Sequence, residues 1–168
     1  MPKKKIHPPK QIFIGCEWAN ELQFLLYLQE LYHPRGGNFR IKSEDMRWTS
    51  PDMIVRKISW KWYENRYVWL DIDRPEIVRA RIMAKKENII LFESSPSNLN
   101  GEILRMLWHK MGWVSDYKKE FARLYEKIDL LEKKSYIKLF PFESLEILRQ
   151  NDEFIISKII KLLETGEL

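Results

Sequence analysis

The sequence predicts an α/β protein: a three-layer sandwich with a mainly parallel four-stranded sheet and extra C-terminal helices. Three observations carry this expectation. Short apolar runs alternate with amphipathic helical segments from residue 11 to residue 112, the signature of strands joined by helical crossovers. The runs beginning at Gln11, Tyr67 and Asn88 are continuously apolar, as strands covered on both faces must be. Acidic residues close two of those runs, and right-handed crossovers put every such end on one rim of the sheet, where sites in parallel sheets lie.

Bulk properties bound the rest. A chain of 168 residues fits one domain and can bury a core without disulfides or a structural metal. Hydrophobic content of 45% with 32% charged residues describes a globular chain. No apolar run approaches the roughly 18–20 residues that a membrane span needs, so no membrane partner is expected. The basic start Met1-Pro2-Lys3-Lys4-Lys5 leads into no signal-peptide core. Cys16 is the single cysteine, which excludes an internal disulfide and a cysteine-based zinc cluster. Together these features predict an intracellular, cytoplasmic protein. The net charge of +5 favours polyanionic partners.

In chain order, residues 1–10 form a basic, proline-containing lead-in, residues 11–112 the α/β core, and residues 113–168 a helical extension packed on that core. Gln11 to Glu17 reads as a buried strand, and Trp18 to Tyr32 as a helix with Leu22, Leu25, Leu26 and Leu28 on a broad apolar face. His33-Pro34-Arg35-Gly36-Gly37 stops it. Phe39 to Lys42 alternates as an edge strand does. Ser50-Pro51-Asp52 opens a helix carrying Met53, Ile54, Ile58 and Trp62 and ending near Asn65. The strand from Tyr67 leads to Asp71-Ile72-Asp73, then to a helix with Ile77, Val78, Ala80, Ile82 and Met83. Asn88 to Phe92 is the fourth strand, Glu93 to Asn98 a polar loop, and Asn100 to Met111 a helix with Gly112 as its cap. Beyond it, Tyr117 to Leu131 reads as a helix, Tyr136 to Phe140 as a small strand or packing segment, and Phe142 to Arg149 and Asp152 to Leu163 as closing helices.

Asp71 and Asp73, two apart at a strand end, share one face. Two such carboxylates repel unless one is protonated or a cation lies between them, and their hard oxygens suit Mg²⁺ or Mn²⁺. The competing reading is a strand-ending turn with an aspartate helix cap. Glu17, closing another strand, favours the metal reading, although it could instead cap the helix near Ala19. Cys16 reads as a buried small hydrophobe. His7, His33 and His109 share no ligand spacing. Trp60, Trp62 and Trp69 fall in apolar patterns and read as core, while Trp48 and Trp113, flanked by polar residues, read as surface.

Glu17 and Asp71-x-Asp73 resemble the Toprim domain of topoisomerases, primases and related nucleases, which places a glutamate after its first strand and an Asp-x-Asp after its third. Cys16-Glu17-Trp18 followed by Glu21, and Ser94-Ser95-Pro96 preceding Glu102 and a leucine-rich helix, are similar to the RloB-like members. The likeness spans roughly residues 11–112. Trp18 stands where the family has glycine, and Pro75 where some members carry a third acid. The resemblance implies that Asp71, Asp73 and Glu17 hold Mg²⁺ or Mn²⁺ and cleave phosphodiesters of DNA or RNA, with Glu17 as base or second-metal ligand. It further implies supporting roles for Glu21, Ser94, Ser95 and Glu102, and backbone binding of nucleic acid by Lys42, Arg47 and Arg74. The chain has no room for a topoisomerase gate and lacks a primase's added modules, so a small nuclease of a defence or mobile-element system is the expectation. Two alternatives stand beside it. One is a degenerate nucleic-acid-binding or protein-interaction module, with a protein partner or homodimer; the other is a PIN- or NYN-type acidic nuclease.

Overall fold

A computed structural model of the chain describes residues 9–47, 49–108 and 116–168. Four strands, β1 (Lys10–Cys16), β2 (Phe39–Asp45), β3 (Asn65–Asp71) and β4 (Ile90–Ser94), form one sheet in the order β2-β1-β3-β4. Every pairing is parallel, as the alternating pattern requires. Three crossovers carry helices α1 (Ala19–Tyr32), α2 (Pro51–Ser59) and α3 (Ile77–Lys86), and α4 (Leu99–Met106) follows β4.

The strand order dictates the layers. The chain steps from β1 to β2 in one direction, then reverses to β3 and β4. Right-handed crossovers place helices made before and after such a reversal on opposite faces. Accordingly α1 packs with Ile12, Ile14, Cys16, Tyr67, Trp69 and Phe92 on one face. Helices α2 and α3 cover Phe13, Val68 and Leu70 on the other. Successive strand residues alternate between these cores. Gly15 lets α2 approach closely, since a Cβ there would come within 2.3 Å of Ile58 Cδ1.

Four further helices, α5 (Tyr117–Leu124), α6 (Lys133–Leu139), α7 (Phe142–Leu148) and α8 (Ile155–Thr165), close over the α1 face. Phe24 of α1 stacks on Tyr136 and Phe140, at 4.5 and 5.2 Å between ring centroids. The Tyr27 hydroxyl donates to the Phe140 carbonyl at 2.7 Å, and the Tyr136 hydroxyl to that of Asn20 at 2.9 Å. The larger core therefore joins the C-terminal helices to the sheet.

Several elements depart from the sequence reading. Tyr136 to Phe140 belongs to helix α6 and its cap, not to a strand: Tyr136, Leu139 and Phe140 are buried at helical spacing while Ile137 faces out. Helix α2 stops at Ser59, six residues before Asn65, because Arg66 donates to the Ser59 carbonyl at 2.8 Å as the chain turns into β3. Trp60 and Trp62 are consequently not core residues; they are 69% and 100% exposed, whereas Trp69 is fully buried. Helix α5 ends at Leu124, and the Asp129 carboxylate accepts the Leu131 N–H in the turns that follow. Trp48, His109, Gly112 and Trp113 lie outside the described residues. Among those described, no helix is long and apolar enough to cross a membrane.

Candidate functional site

The strand order reverses between β1 and β3, the place on a parallel sheet's C-terminal rim where sites form. Glu17 follows β1 directly and Asp71 ends β3. The Glu17 N–H donates to the Trp69 carbonyl at 3.0 Å, extending the ladder one residue past the strand. Glu17 Oε2 then accepts the Asp71 N–H at 3.0 Å, so two segments 54 residues apart meet at the rim. The Glu17 carboxylate caps strand β3 and not helix α1. Glu21 performs the helical role, its Oε2 accepting the Trp18 N–H at 3.0 Å from the first turn.

Asp71 shares the parity of Tyr67 and Trp69 and faces the α1 and α4 side. Its Oδ1 accepts the Leu99 N–H at 3.0 Å, at the positive end of helix α4. Asn98 caps that helix through its Oδ1, which accepts from Gly101 N at 3.1 Å, and its amide nitrogen donates to Asp73 Oδ2 at 3.2 Å. One asparagine thus ties the exposed Asp73 to the helix that also faces Asp71.

The electrostatics are those of crowded, buried carboxylates. Glu17, Glu21 and Asp71 are 1%, 0% and 3% exposed. Burial, then the charges on Glu17 and Asp73, push Asp71 up to about 7. Burial and the neighbouring Asp71 raise Glu21 well above the usual carboxylate range. Burial also raises Glu17, opposed by the Asp71 N–H and by the Arg74 guanidinium, whose Nε lies 3.4 Å from Glu17 Oε1. Among the described residues, Glu17 Oε1 and Glu21 Oε1 are buried without a hydrogen-bond partner, an arrangement that costs free energy unless a proton or cation reaches them. No group of three His, Cys, Asp or Glu among the described residues is placed to hold a metal ion.

The other sequence-derived residues divide. Arg74 stands at the acids, stacked on Trp18 with its Cζ 5.3 Å from the ring centroid. Ser94 Oγ accepts the Trp69 indole N–H at 3.0 Å and supports the strand beneath Asp71. Glu102 belongs to a separate network: it accepts the Ser95 N–H at 3.1 Å and the Ile155 N–H at 3.3 Å and pairs with Arg105, joining the loop after β4 to helix α8. Lys42 is not brought to the acids. It lies mid-strand, paired with Phe13 in register and therefore on the α2 face, and is bonded to Glu44 at 2.7 Å. Arg47, just past β2, pairs with Asp45 at 2.8 Å.

Two participants were not anticipated. Asn98 falls in the stretch that the sequence shows only as a polar loop. Lys118 comes from helix α5, and its charge favours the ionised forms of Glu17 and Asp71. With Asn20 and Asn100 it lines a cleft of about 400 Å³. The fold and rim define an α/β protein with acidic side chains at a topological switch point. No family model, curated protein or solved structure matches the chain.

Proposed function

We propose that the protein is a metal-dependent, Toprim-like nuclease that cleaves phosphodiesters at the β1–β3 rim. The observation that carries this reading is the bond from the Asp71 N–H to Glu17 Oε2, which unites the acids of two strands. The chemistry of the donor set suits a hard divalent ion: the carboxylates are crowded, Glu21 Oε1 is buried without a hydrogen-bond partner, and a cation would offset the burial and the neighbouring charges that raise Asp71. Asp71 and Asp73 would hold Mg²⁺ or Mn²⁺, with Glu17 beside them. When bound, such an ion neutralises phosphate charge and steadies the leaving oxygen.

The protein's own groups supply the rest. Glu17, whose proton affinity burial raises, is suited to accept a proton from an attacking water. Arg74 offers a guanidinium to the phosphate backbone at the same place. Asn98 orients Asp73, and Lys118 adds positive charge from the α5 side.

A second reading is favoured by the Arg74–Glu17 pair, in which a guanidinium already occupies the position of a countercharge. The protein would then be a nucleic-acid-binding or protein-interaction module that retains the acids without using them. Incubation with labelled DNA and RNA in Mg²⁺ or Mn²⁺ separates the two. Cleavage by the wild type, lost in both Asp71→Asn and Glu17→Gln, is expected; cleavage that survives in both variants refutes the nuclease assignment.

A further inference from the structure

At the opposite end of the sheet, the turn from α2 into β3 carries two exposed tryptophans. Trp62 is 100% exposed and Trp60 69%. Exposed indoles of this size on a folded chain mark a surface that takes a partner. The Arg56 guanidinium lies over Trp60, its Cζ 5.5 Å from the ring centroid. Both tryptophans line an open depression of about 660 Å³ together with Lys61, Tyr63 and Arg66.

The charge around this surface is positive. Within residues 56–66, Arg56, Lys57, Lys61 and Arg66 face one acid, Glu64. Lys61 is bonded to Glu44 at 2.9 Å. Arg66 spends its guanidinium on the carbonyls of Ser59 and Glu87, at 2.8 and 2.7 Å, which leaves its charge unneutralised by a carboxylate. Arg56 and Lys57 are exposed and enter no ion pair among the described residues.

We propose that this turn is a stacking platform for single-stranded nucleic acid. Bases offer flat π faces to indoles, and the phosphates between them answer to the surrounding cations. Duplex bases are already stacked on each other and cannot present those faces, so the platform selects unpaired strands. Trp60 is prepared for this: arginine holds one face of the ring, leaving the other for a base. The site stands independently of the chemistry at the acidic rim, about 20 Å away along the seven residues of β3.

Binding of short fluorescent oligo-dT and oligo-U to the full chain, measured in EDTA by anisotropy and tryptophan quenching, tests the proposal without involving cleavage. Both oligonucleotides should bind and quench. Trp62→Ala, a change at a fully exposed position, should weaken binding by about tenfold, and Trp60→Ala by a similar factor. Replacing Arg56 and Lys57 together by Gln should flatten the slope of log affinity against log salt by about 1.4. Equal affinity for a blunt duplex overturns the proposal, as does unchanged binding by Trp62→Ala. So does a sedimenting dimer that Trp62→Ala dissolves, since the indoles would then be covered by a second copy.

Discussion

The two rims of one four-stranded sheet differ in nearly every physical respect. At the C-terminal rim Glu17, Glu21 and Asp71 are buried, and burial first, then neighbouring carboxylates, raise all three above the ordinary carboxylate range. At the N-terminal end Trp60 and Trp62 are exposed among cations. One rim hides groups that water would stabilise; the other exposes groups that water would exclude. The first arrangement costs folding free energy, and the second forgoes the gain that burying two indoles would bring. Such departures from the usual partition of polar and apolar side chains are expected where a chain keeps residues for function.

Substitutions should separate the rims. The largest effect is expected in catalysis. Glu17→Gln should lower the cleavage rate by about 10²–10⁴-fold, the range for loss of a general base, while Trp62→Ala leaves single-turnover cleavage of saturating substrate unchanged. A comparable rate loss in both variants would merge the two rims into one site.

Stability should follow pH in a sense opposite to that of a salt-bridged acid. Asp71 moves from 3.8 to about 7 on folding, so the native state retains a proton that the unfolded chain has released. Stability from this group is fully present below pH 3.8 and is lost as pH rises through about 7. Glu17 and Glu21 are raised too and act in the same direction. Melting at pH 5 and pH 8 should show the wild type less stable at pH 8, with the difference reduced in Asp71→Asn. Equal dependence in the two proteins would show that Asp71 is not the titrating group.

A smaller effect is expected from Arg74→Gln. The guanidinium lowers the Glu17 carboxyl, so its removal should move the acid limb of the pH–rate profile to higher pH. An unmoved limb would detach Glu17 from the rate. The smallest effect belongs to the exposed indole: Trp62→Ala should change the unfolding free energy by less than about 0.5 kcal/mol. A larger loss, seen by denaturant titration, would make the platform a structural element.

Much of the acidic rim was legible in the sequence because it rests on strand ends. A parallel sheet places every such end on one edge, so Glu17 and Asp71 had to lie on a common rim wherever their helices packed. Lys42 escaped this logic: its place in the middle of β2, on the opposite face from Asp71, depends on register. Trp60 and Trp62 continue the apolar spacing of α2, and only the capping of that helix by Arg66 turns them outward. The helical state of Tyr136 was hidden by a short, mostly apolar run that fits strand and helix alike. Lys118 acts on the acids through its charge from a distant helix, a placement that only tertiary packing supplies.

If the acids closing β1 and β3 share a divalent ion, Mn²⁺ titration at pH 8, followed by the paramagnetic resonance of the free ion, will register it. The wild type should remove free Mn²⁺ from solution, and Asp71→Asn should leave most of that signal in place. Equal uptake by the two proteins, or none by the wild type, would exclude an ion shared by Glu17 and Asp71.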